Sequence, residues 1–149
     1  MVNHDIKKAK EVLESFMTEM NLWEIKAFPM RYQITSDEGY PIVHELQQIY
    51  NRWLVKKERK FGRLIQLNGK LRCANVGFPP EYDPEYEKIV SHEIINDKKI
   101  VFHTELQDQS ISTLKTQLKY TILFINGEYK IDKKEEYSLV KEKWILLHM

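Results

Sequence analysis

The chain has 149 residues, 42% of them hydrophobic and 30% charged, with a mean hydropathy of -0.53; this composition excludes a disordered tail, a collagen and a disulfide miniprotein. Twenty-three Lys and Arg against 22 Asp and Glu leave a formal charge of +1, too neutral to select nucleic acid or an anionic membrane as partner. A lone cysteine, Cys73, and no Asn-x-Ser/Thr site point to a reducing cytoplasm.

Apolar residues at Ile6, Ala9, Leu13, Phe16, Met20, Trp23 and Ala27 step by three or four, which predicts a long amphipathic helix ending before Pro29. Asn3 is a candidate cap, and Val12, Met17 and Leu22 widen the stripe enough for the helix to lie across a sheet. The opening residues hold no apolar run of signal-peptide length, and 18 apolar residues never come together, so neither a secretory signal nor a membrane span is expected.

A turn-forming stretch at 35–40 leads to Pro41, suited to the first position of a second helix. Ile42, Val43, Leu46, Ile49, Tyr50, Trp53 and Leu54 form its apolar stripe, with His44 among the polar residues of the other side. After Gly62 the period changes. Arg63 to Val76 reads as a hairpin about Asn68-Gly69, since such a pair tolerates the positive φ angles of a two-residue turn. Residues 77–87, with Pro79, Pro80 and Pro84, form a rigid irregular loop. Lys88–Ile95 and Ile100–Leu106 make a second hairpin, its turn register open by one residue. Leu118–Ile125, Asn126-Gly127 and Glu128–Asp132 make a third, in which Leu118, Tyr120, Ile122, Phe124, Tyr129 and Ile131 share the core face. The apolar tail, ending on Trp144, Ile145, Leu146, Leu147 and Met149, needs cover from the chain itself or from a second copy, as in a homodimer through the tail.

Two or three helices followed by about six strands in hairpins predict an α+β fold, with N-terminal helices packed on one curved antiparallel sheet. Residues 1–149 contain no repeat or linker and read as a single domain.

Glycines at 39, 62, 69, 77 and 127 only allow no phosphate-binding loop. His44-Glu45-Leu46-Gln47-Gln48 departs from a zinc-protease helix at its fifth residue, where a glutamine replaces the second imidazole. No serine lies in G-x-S-x-G, so covalent catalysis has no visible support. His92 and His103 face each other if the second hairpin turns about Asp97-Lys98, and a one-residue slip separates them. No cofactor and no metal is expected. Residues 56–63 carry five basic side chains against one acidic, whereas 79–87 carry Glu81, Asp83, Glu85 and Glu87. An acidic loop interleaved with Tyr82 and Tyr86 is a candidate protein-docking feature, because tyrosines give contact area and carboxylates give steering.

Three blocks, Lys56 to Leu64, Pro79 to Glu85, and Leu118 to Ile122 continued by Asn126 to Glu135, resemble the bacterial immunity proteins of the nuclear-transport-factor-2-like fold. The resemblance spans about residues 40 to 136 and implies a cone, with a curved sheet wrapped around the long helix and a cavity at the wide end. It also implies an antitoxin-like role: binding a cognate toxin domain and covering it, with no reaction of its own. No contact residues come with the resemblance, so Glu81, Tyr82, Asp83, Glu85 and Tyr86 stand as the toxin-binding set on the loop's own chemistry. The alternative is a small-molecule enzyme or ligand binder using the cone cavity, with His92, His103 and Asp132 as its polar groups.

Overall fold

The computed structural model describes residues 3–30, 40–55, 64–67, 70–73, 81–111 and 113–147. Helix α1 (Ile6–Ala27) begins at Asp5, whose Oδ1 accepts the Lys8 backbone N–H at 3.1 Å. Asp5 therefore replaces Asn3 as the cap, because only a side chain immediately before the first turn reaches the third helical N–H. The expected stripe is buried from Ala9 to Ala27 and Met17 widens it, but Leu22 points to solvent at 63% exposure. The backbone leaves the helix through a short 3-10 turn, Phe28–Met30.

Helix α2 (Tyr40–Trp53) buries Ile42, Val43, Leu46, Ile49 and Tyr50 and exposes His44. It is fixed to α1 by polar contacts at both edges of the apolar seam. The Trp23 indole donates to the Ile42 carbonyl at 2.7 Å, and Glu19 receives both Arg52 Nη1 at 2.6 Å and Trp53 Nε1 at 2.7 Å. Beyond α2, Leu54 bridges to Ile131, and the Val55 N–H donates to the Ile131 carbonyl at 2.9 Å.

Among the described residues seven strands follow: β1 (Leu64–Leu67), β2 (Lys70–Cys73), β3 (Glu87–Asn96), β4 (Lys99–Gln107), β5 (Lys115–Ile125), β6 (Glu128–Ser138) and β7 (Lys143–Leu147). Five of them make one antiparallel meander in the order β3-β4-β5-β6-β7, the sheet expected under the helices, while among the described residues β1 and β2 pair only with each other. The third hairpin turns at Asn126 (φ 52°) and Gly127 (φ 79°), the double positive φ that a right-twisted hairpin requires. Ile100, Phe102, Leu118, Tyr120, Ile122, Tyr129 and Ile131 form the sheet's inner face and share one hydrophobic cluster with both helices.

The apolar tail forms β7, which was not expected as a strand. Trp144 pairs with Tyr137 across the ladder and Leu147 with Lys134. Leu147 packs on the core, while Trp144 on the outer face lies edge-on to Tyr137, beside His103 and over the Lys119 ammonium. The chain itself therefore covers both residues in part, leaving each half-buried.

Bulges decide which polar side chains turn inward. In β6 the register slips so that Ile122 faces Ile131 while Thr121 faces Lys133. The extra residue, Asp132, reverses the in-out alternation. Lys134 consequently points inward opposite Tyr120 and is only 2% exposed.

Candidate functional site

Residues 81–87 bring the acidic segment to the start of β3, and local hydrogen bonds give it one shape. The Asp83 carbonyl accepts the N–H groups of Tyr86 at 3.0 Å and Glu87 at 2.8 Å. Its Oδ1 accepts the Glu85 N–H at 3.0 Å, the side-chain turn that Asp characteristically makes. Lys88 Nζ donates to the Pro84 carbonyl at 2.7 Å, and the Gln107 N–H donates to the Tyr86 carbonyl at 2.8 Å. Pro79 and Pro80 lie outside the described residues.

Tyr82 attaches the segment to α1. Its N–H donates to Glu24 Oε2 at 3.1 Å, and its carbonyl accepts Asn21 Nδ2 at 2.8 Å. The ring stands edge-on to Phe16 with centroids 5.2 Å apart and is fully buried. Tyr82 is thus corrected from a contact residue to an internal anchor: its ring finds apolar cover under α1, which outweighs the exposure that its charged neighbours suggest. Glu81 and Glu85 are exposed, and Asp83 and Tyr86 half-buried. The structure brings these four to one short surface segment.

Behind this segment lies a buried polar cluster that the sequence did not disclose. Glu87, 3% exposed, accepts Thr104 Oγ1 at 2.7 Å and Tyr120 Oη at 2.8 Å, both on Oε2. Lys134 extends toward Glu81 Oε1 at 3.3 Å, with its ammonium 4.2 Å from the Tyr82 ring centre and 5.6 Å from that of Tyr120. Burial, reinforced by the negative charge of Glu87, raises the Tyr120 phenol well above its ordinary range. Tyr120 therefore remains a hydrogen-bond donor to Glu87 across neutral pH. A rule of strict alternation conceals Lys134, since its inward direction depends on the bulge. Glu87 stands at a strand start where no periodicity has yet been established.

The histidines are not brought together. The hairpin turns about Asp97-Lys98, with Asn96 opposite Lys99, but a bulge between Ile94 and Asn96 sets His92 opposite Phe102 and His103 opposite Ser91. The two imidazoles therefore occupy opposite faces, as a one-residue slip demands. His103 Nε2 lies 2.9 Å from Glu93 Oε1 on the outer face, while His92 lies beside Phe102. Asp132 sits in the β6 bulge, with β5 between it and β4. Among the described residues, no three His, Cys, Asp or Glu side chains gather as a metal would need. No helix among them is long and apolar enough to cross a membrane.

Residues 8–147 match the family model described as NTF2 fold immunity protein. The chain is also similar to immunity protein RhsIA of Dickeya dadantii (strain 3937), with 39% identity over 142 residues that cover 95% of this chain and 96% of the relative. No solved structure matches.

Proposed function

The chain belongs to the NTF2-fold immunity proteins, and from that premise we propose that it neutralises a cognate bacterial toxin domain in the cytoplasm, by forming a stoichiometric complex that covers the toxin. The carrying observation is the anchoring of the acidic segment by Tyr82. A loop already held in one shape loses little entropy on docking, so more of its contact energy becomes affinity. Glu81, Asp83, Glu85 and Tyr86 form the docking edge, with the carboxylates steering a basic toxin surface and Tyr86 adding contact area. The protein performs no reaction in this scheme; its polar interior holds the loop in place.

The test is a titration of the toxin domain encoded beside this chain, followed by both complex formation and residual toxic activity. Occlusion requires a one-to-one complex and activity lost in proportion to the complex formed. Absence of a complex overturns the reading. Full protection far below equimolar chain overturns occlusion as well, since it demands turnover.

A further inference from the structure

Glu87 is satisfied on one side only. Its Oε2 takes two neutral donors, Thr104 and Tyr120, whereas Oε1 is buried and has no hydrogen-bond partner among the described residues. No cation among them lies within ion-pairing distance of Glu87; Lys134, the buried ammonium nearby, is directed to Glu81. A buried carboxylate in this state bears a desolvation cost that a cationic donor would offset.

Glu87 also lines a cleft of about 330 Å³ between α1 and the start of β3, walled by Met17 and Ile89 and flanked by Glu14, Thr18 and Pro84. One water occupies about 30 Å³, so the space exceeds what a single bridging solvent molecule needs. Both lysines at its edge are engaged: Lys10 with Glu14 at 3.8 Å, and Lys88 with the Pro84 carbonyl. Pro84 places the opening directly beside the acidic docking segment.

We propose that this cleft receives one Lys or Arg side chain of the toxin domain, which donates to Glu87 Oε1 while its methylene stem lies against Met17 and Ile89. The inference rests on the toxin-binding reading and gives it a specific anchor point. A long basic side chain suits both the apolar walls of the cleft and the carboxylate residue among its lining, Glu87.

Glu87→Gln keeps the shape and the acceptor for Thr104 and Tyr120, and turns an amide toward the missing donor. Thr18→Arg, at an exposed helix position, fills the cleft with the chain's own guanidinium. Affinity for the toxin domain encoded beside this chain is measured for the wild-type protein and both variants, alongside thermal unfolding. The expected result is a loss of about 100-fold or more in each variant, mainly through faster dissociation, with Thr18→Arg folded and no less stable than the wild type. Wild-type binding with both folded variants inside twofold of it overturns the cleft assignment and leaves toxin binding intact. If Glu87→Gln fails to fold, Thr18→Arg alone decides by the same criterion. No binding by the wild-type protein overturns the toxin-binding reading and this inference with it.

Discussion

The Lys134 ammonium sits 4.2 Å from the centre of the Tyr82 ring, so a cation from the third hairpin and an aromatic from the acidic segment hold each other inside the protein. A desolvated contact of this kind is worth about 2 kcal/mol, and here it joins two parts of the chain that share no strand pairing. Replacing Tyr82 with Ala removes the ring from Phe16 and Lys134 together and should cost about 3 to 5 kcal/mol, read by urea denaturation. It should also weaken toxin binding although the ring is inaccessible, because the loop loses its attachment to α1. Tyr82→Phe keeps the ring contacts and should bind as the wild type does.

Within the docking edge, Glu85 is the cleanest probe of steering. Reversing Asp83 would break the turn that its Oδ1 makes, and reversing Glu81 would set a second cation beside Lys134. Glu85→Lys should leave stability within about 0.5 kcal/mol and slow association with the toxin domain severalfold. Stopped-flow measurement should show the difference shrinking as salt shortens the Debye length from about 30 Å at 0.01 M to about 8 Å at 0.15 M.

Tyr120 predicts an alkaline limit. Its folded pKa is raised by burial first and by Glu87 second, while the unfolded phenol titrates near 10. Below that pH both states are protonated and the stability contributed is fully present. Above it the unfolded chain loses the proton first, so stability falls as pH rises toward the folded value. Urea midpoints between pH 9 and 11 should decline for the wild type, and more shallowly for Tyr120→Phe. That variant should begin about 1 kcal/mol lower for want of the bond to Glu87.

The period-3.6 stripe of α1 and the Asn126-Gly127 hairpin were legible because each is set by nearest neighbours: helical spacing in one case, two left-handed residues in the other. The buried cluster was not, because it depends on where strands slip. One extra residue at Asp132 turns Lys134 inward, and one more between Ile94 and Asn96 separates His92 from His103; no local pattern signals a bulge. Tyr82 reads as surface beside its charged neighbours, since an irregular loop has no alternation to show that one of its side chains turns under α1. The tail escaped assignment as a strand because Trp144 to Leu147 are apolar on both faces. One face packs on the core and the other on Tyr137, so alternation never appears.

That double use of β7 predicts a strong effect of truncation. Removing residues 138–149 would strip the cover from Tyr137 and Lys119 and exchange the short β7 edge for the longer edge of β6, a better template for pairing with other chains. The shortened protein should scatter light as aggregates at concentrations where the full chain does not. Trp144→Ala, which removes only the ring, should cost about 2 kcal/mol because the site is half-buried.

The order of elements also sets a condition on the protein's manufacture. The first helix is complete at Ala27, yet the strands that cover its apolar side begin at Lys99 and do not end until Ser138. At ribosomal rates of roughly 5 to 20 residues per second, a nascent chain carries Leu13 and Phe16 without their sheet cover for on the order of ten seconds. Once β4 has emerged, each later strand pairs with the one just made, so the sheet can assemble at the pace of synthesis. The helices must wait for it, and a cell overproducing this protein would be expected to engage its chaperones during that interval.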